Sequence, residues 1–109
     1  MDISNTKPLF SLSVVSKITN LPAKTLNYFE RQGLIAPSKT PGNRRLYSKE
    51  DLIRVLTIKY LKEKMALNSS GINLILKITS YTATKGVNIK EIFFKDLDEE
   101  KDLKEALNG

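Results

Sequence analysis

Apolar residues along this chain change their spacing several times, and each change marks an element. From Leu12 onward Val14, Val15, Ile18 and Leu21 recur at close to helical spacing, with Ser11 or Ser13 placed as an N-cap. Asn20 suits a left-handed C-cap, and Pro22 cannot continue that helix. The helical pattern resumes at Ala23 and predicts a second helix to about Gln32, ended by Gly33. Only a few residues join the two, which is the length a helix-turn-helix requires.

The period then shortens. Leu34 to Tyr47 holds two short apolar stretches around Pro41-Gly42, where proline fixes one backbone angle and glycine accepts a positive one, so a β-hairpin is expected. Ser48-Lys49-Glu50-Asp51 resembles a capping box with Asp51 in the acidic place. It opens a long helix burying Leu52, Val55, Leu56 and Leu61 and ending near Met65. Asn68-Ser69-Ser70 caps a fourth helix with Ile72, Ile75, Leu76 and Ile78. Tyr81 to Asn88 reads as a connector, and Ile89 to Leu107 as one last helix, with Ile89, Ile92, Phe93 and Leu97 along a stripe.

The expected fold is therefore mostly α: a winged helix-turn-helix with a short β-hairpin wing and a C-terminal helix. Its expected divisions are an N-terminal arm (1–10), a winged DNA-binding unit (11–80), a connector (81–88) and a dimerisation or partner-binding helix (89–109). That last helix has two readings: its stripe packs on its own domain, or on the same helix of a second chain. The second is preferred because little own-domain surface is left for it, and closed two-fold pairing is the commonest assembly.

Composition narrows the chemistry. The 109 residues contain no cysteine and no histidine, which removes disulfides, thiolate or imidazole metal sites and the usual nucleophiles. No metal, cofactor or enzymatic activity is expected. No apolar run approaches the ~20 residues of a membrane span, and no secretory signal is visible, so a cytoplasmic, nucleoid-associated protein is expected. Residues 1–65 carry 12 Lys and Arg against 5 Asp and Glu, whereas residues 66–109 carry 6 against 7. A basic front and a near-neutral back fit a DNA-facing surface with a separate packing surface, or simply a basic soluble domain.

If Leu26 and Phe29 face the core, Lys24, Asn27, Tyr28 and Arg31 share the outward stripe of the second helix. Lys24, Tyr28 and Arg31 suit phosphates, and Asn27 offers a carboxamide to an adenine edge. The plainer reading is an ordinary solvated face. Arg44 and Arg45 follow the hairpin turn, where guanidiniums straddle phosphates or enter a narrow minor groove; alternatively they solubilise the loop, or one bridges to a carboxylate. Tyr47 is a candidate phosphate contact or a lid on the core beneath the wing.

The order of these parts carries a resemblance. Thr25-Leu26-Asn27-Tyr28-Phe29-Glu30-Arg31-Gln32-Gly33-Leu34-Ile35 is similar to the helix signature of the MerR family. Gly42-Asn43-Arg44-Arg45-Leu46-Tyr47-Ser48 resembles that family's wing, and Ala66 to Ile72 followed by Leu74-Ile75-Leu76 resembles its glutamine-synthetase and heat-shock repressor branches. The resemblance covers about residues 9–80. It implies a homodimeric transcription regulator with one head per half-site, joined by an antiparallel helix pair. It implies recognition-helix contacts by Tyr28 and Arg31 and wing contacts by Arg44, Arg45 and Tyr47; Lys24 rests on helix geometry. Asn27 stands where the family usually has Arg, which points either to an adenine preference or to weaker binding. Phe29 replaces a second Tyr, and Pro22 replaces a Ser cap. The short tail lacks the cysteine cluster and ligand domain of metal and drug sensors.

Three tasks fit such a chain. The first is a sequence-specific regulator of double-stranded DNA, a dimeric repressor without an effector domain. The second is an architectural factor of a phage or mobile element that bends DNA and recruits a recombinase. The third is an adaptor whose tail binds a regulatory protein partner, in which case each head stays folded when residues 89–109 are removed.

Overall fold

The computed structural model describes residues 6–108. Six helices and three short strands follow one another as β1 (Phe10–Ser11), α1 (Leu12–Thr19), α2 (Ala23–Arg31), β2 (Ser38–Lys39), β3 (Arg45–Tyr47), α3 (Lys49–Glu63), α4 (Ser69–Ala83), α5 (Ile89–Phe93) and α6 (Glu99–Asn108). The architecture is a mostly helical winged helix-turn-helix, as the spacing predicts. No helix among the described residues is long and apolar enough to cross a membrane.

Local chemistry fixes the ends of the first two helices. Ser11 accepts from the Val14 amide, and Asn20 turns the chain at φ 56. The Ser16 hydroxyl donates to the Leu21 carbonyl at 2.5 Å, and Lys59 of α3 donates to the Thr19 carbonyl at 2.8 Å. A cation at a helix C-terminus meets both an unpaired carbonyl and the negative end of the helix dipole. Pro22 opens α2 without a side-chain cap, and Gly33 leaves it at φ 75. Leu26 and Phe29 are buried on its inner face.

The wing is a hairpin with a third strand added. β3 lies between β1 and β2, both antiparallel to it, with Phe10 opposite Tyr47 and Lys39 opposite Arg45. The end of the segment read as an arm is thus a strand; residues 1–5 of that segment lie outside the described residues. The turn also differs from expectation. Asn43, not Gly42, takes the left-handed conformation (φ 63), and its amide donates to the Thr40 carbonyl at 2.8 Å. Asparagine tolerates that region better than most residues with a side chain.

Ser48 and Asp51 form the expected reciprocal capping box at the start of α3, and Asn68 caps α4 by accepting from the Gly71 amide. α4 runs to Ala83, into the stretch read as a connector. Val15, Leu26, Phe29, Leu34, Tyr47, Leu52, Val55, Ile58, Leu61 and Ile72 form the core these elements share.

The C-terminal segment departs most from the sequence reading. Instead of one helix over 89–107, α5 ends at Phe93 and α6 begins at Glu99. Asp98 starts the new helix: its carboxylate accepts from the Lys101 amide at 3.0 Å and its carbonyl from the Asp102 amide. The break turns Phe94 and Leu103 into the core, where they are 6% and 1% exposed. The Phe94 ring meets Tyr60 edge-on at 5.8 Å. The tail therefore covers α1 and α3 of its own head. Leu97 and Ile89 pack against that core, while Ile92 and Phe93 remain exposed, so the predicted four-residue stripe is divided.

Candidate nucleic-acid interface

With Leu26 and Phe29 inward, the outer side of α2 presents Lys24, Tyr28 and Arg31, all exposed. The Arg31 guanidinium sits 6.0 Å from the centre of the Tyr28 ring, close enough for a cation–π contact that orders both. The Tyr28 hydroxyl is 3.3 Å from Ser69 Oγ at the start of α4. Nearby, the Lys62 ammonium lies 5.6 Å from the Phe29 ring centre. Lys24, Tyr28 and Arg31 thus put two cations and a hydroxyl on the outer side of this helix, which suits a polyanion.

Asn27 is placed differently from its predicted neighbours. It is half-buried, and its Oδ1 is shielded from solvent without a hydrogen-bond partner among the described residues. A carbonyl in that state lacks a donor, which a bound group or a rotation of the carboxamide would supply.

The two wing arginines have separate surroundings. Arg44 is exposed, and among the described residues its guanidinium makes no hydrogen bond or ion pair. Arg45 turns back onto α2, donating from Nε to Glu30 Oε1 at 2.5 Å. Lys39 approaches the other carboxylate oxygen at 3.4 Å. The Arg45 guanidinium holds the Glu30 carboxyl below the usual carboxylate range, opposing the effect of burial, with Lys39 adding to it. The bridge to a carboxylate, one of the alternatives for these arginines, is the arrangement found for Arg45.

Tyr47 is a correction. Its side chain is fully buried, and its hydroxyl has no hydrogen-bond partner among the described residues. It is a core residue beneath the wing in this conformation and presents nothing to a phosphate. Burial, reinforced by the Glu30 charge, pushes its phenol up to about 12.

Sequence reasoning missed Glu30, Lys39, Lys62 and Ser69. Glu30 carried a signal, since a lone carboxylate between residues assigned to a polyanion surface calls for a cationic partner. Lys62 and Ser69 lie far along the chain, and only the packing of α3 and α4 brings them near α2. A further tie escaped notice: Arg54 of α3 donates from Nε to the Leu34 carbonyl at 2.6 Å, fixing the exit from α2.

A helix with an outward row of cations, beside a three-stranded wing that carries the exposed Arg44, defines a winged helix-turn-helix fold with a basic outer face. Residues 10–79 match the family described as MerR HTH family regulatory protein, and the chain belongs to that family. It is 38% identical over 84 residues to the HTH-type transcriptional regulator GlnR of Bacillus anthracis and of Bacillus cereus, an alignment covering 77% of this chain. It is 27% identical over 82 residues to a putative heat shock protein HspR of Streptomyces coelicolor, covering 75% of this chain and 54% of that protein. The chain spans 64% of the length of the GlnR relatives it matches.

Proposed function

We propose that this chain is a transcriptional regulator that binds duplex DNA sequence-specifically as a homodimer and acts as a repressor. The observation that carries the reading is the exposed row of Lys24, Tyr28 and Arg31 on a helix braced by the wing. Lys24 and Arg31 are the phosphate contacts, Tyr28 contributes its hydroxyl, and Asn27 reads an adenine edge once its carboxamide turns outward. Repression needs only occupancy of an operator, which two heads supply. The name of the GlnR relatives supports the transcriptional role, and the proposed site of action is the cytoplasmic nucleoid.

The dimer contact proposed for the stripe at 89–97 is narrowed to its exposed members. Ile92 and Phe93 of α5 are 52% and 67% exposed, and α4 leaves Leu74, Ile78 and Tyr81 exposed at helical spacing. Exposed apolar side chains of this size on packed neighbouring helices suit an isologous contact. A regulatory protein partner would meet the outer side of α6, where Glu100, Asp102 and Glu105 are exposed.

Selection of random duplex DNA by the purified chain, followed by sequencing, tests the reading. An enriched inverted repeat supports a two-headed regulator, and adenine at fixed positions supports the role of Asn27. Binding without enrichment, fading with salt alone, overturns sequence specificity and favours an architectural DNA-bending role.

A further inference from the structure

Glu30 precedes Arg31 on α2 but does not share its exposure; its side chain is 20% exposed and faces the wing. Its two carboxylate oxygens divide the hairpin between them. Oε1 takes Arg45 of β3 at 2.5 Å, and Oε2 faces Lys39 of β2 at 3.4 Å. Lys39 and Arg45 are also directly opposite one another in the β2–β3 register. Two like charges opposite each other on neighbouring strands repel, and strands of two and three residues have little else to hold them. One carboxylate on the reading helix offsets that repulsion and fastens both strands to the helix.

We propose that Glu30 is a positioning residue that locks the wing to the reading helix and withholds Arg45 and Lys39 from phosphate, leaving Arg44 as the wing's contact with DNA. The assignment rests on the DNA-binding reading above. It divides the labour of two adjacent arginines by their partners: the one facing Glu30 sets the pose, and the exposed one meets the backbone. Loss of a merely structural residue weakens binding to every duplex. Loss of this carboxylate instead releases two cations next to DNA, so non-specific affinity rises while discrimination falls.

The test compares salt dependence of binding to a selected duplex and to an unrelated one, for the wild type and Glu30→Gln, Arg44→Met and Arg45→Met. Each phosphate neutralised adds about 0.9 to the steepness of log affinity against log salt. Arg44→Met is expected to make the slope shallower by about that amount per head, and Arg45→Met to leave it unchanged. Glu30→Gln is expected to steepen the slope by about 1 to 2 per head and to cut the preference for the selected duplex several-fold. The proposal is overturned if Arg45→Met loses as much slope as Arg44→Met, or if Glu30→Gln weakens both duplexes alike.

A wild-type measurement covers the case in which a variant does not fold. In nitrogen-15 spectra the Arg45 Nε–H should be protected from exchange in free protein and unmoved by DNA, while that of Arg44 shifts. An Arg45 signal that moves with DNA as far as that of Arg44 overturns the division of roles. Wild-type protein that binds neither duplex fails at the earlier step and overturns the DNA reading itself.

Discussion

Thr57 and Glu99 stand 42 positions apart and meet in the core, where the threonine hydroxyl donates to Glu99 Oε2 at 2.7 Å. The same oxygen takes the Lys90 ammonium at 2.5 Å. A residue from the middle of α3, one from α5 and one from the first turn of α6 are thereby tied at one buried acceptor. The tail is fastened chemically as well as by Phe94 and Leu103.

Cutting that fastening should destabilise the head. Glu99→Ala leaves Thr57 and Lys90 without their shared acceptor and is expected to cost about 1–3 kcal/mol. Leu103→Ala empties a fully buried position and is expected to cost about 2–5 kcal/mol. Urea unfolding of each variant checks these values. Removal of residues 89–109 should lower the midpoint further, against the expectation that the head stays folded without them; an unchanged midpoint would refute the docked tail.

Tyr47→Phe removes a buried hydroxyl that has no partner among the described residues, so stability should stay level or rise by up to about 1 kcal/mol. DNA affinity should not change, because the ring lies beneath the wing surface. Alkaline behaviour gives a second readout. The folded phenol is raised to about 12 from 10, so the folded state retains its proton where the unfolded state has lost it. Stability should therefore fall as pH rises from about 10 towards 12, and Tyr47→Phe should flatten that fall. Unfolding curves across this range check the sign.

Arg31→Ala should weaken binding to all duplexes and make the salt dependence shallower by about 0.9 per head. Tyr28 loses the guanidinium stacked beside it, so Tyr28→Phe in the same background should add less than it does alone. Fluorescence anisotropy at several salt concentrations measures both effects.

Phe93→Asp places a charge on the exposed apolar end of α5 and should shift assembly towards monomer by at least tenfold in dissociation constant, about 1.4 kcal/mol. Leu103→Ala acts on the core and should leave that constant nearly unchanged if the remaining fold is intact. Sedimentation equilibrium separates the two. Wild type that stays monomeric at high concentration would sink the dimer assignment.

Much of this fold was legible because its signals are local. Asn20, Pro22 and Gly33 punctuate α1 and α2, and Ser48 with Asp51 marks α3, each through backbone conformation or capping chemistry that needs no tertiary partner. The break in the tail was written locally too, as Asp98 ahead of Glu99, Glu100 and Lys101, but an uninterrupted apolar stripe outweighed it. Capping prevailed because burial of Phe94 and Leu103 requires the chain to bend between them. The candidate site was legible by type and not by partner. Composition named Arg44 and Arg45 together, whereas only the folded position of β3 brings Arg45 within reach of Glu30 and leaves Arg44 exposed. Tyr47 stood between two readings for the same reason: strand alternation does not say which face lies on the core until α1 and α3 are seen to pack against β3.

Leu103 also bears on how the chain is made. A ribosome releases the head, with its α1–α3 surface still uncovered, before it has supplied the side chain that closes it. During that interval the apolar groups beneath α6 are open to water and to other nascent chains. Closure of this core over α1 and α3 must await α6, so the head folds in two stages as the chain emerges.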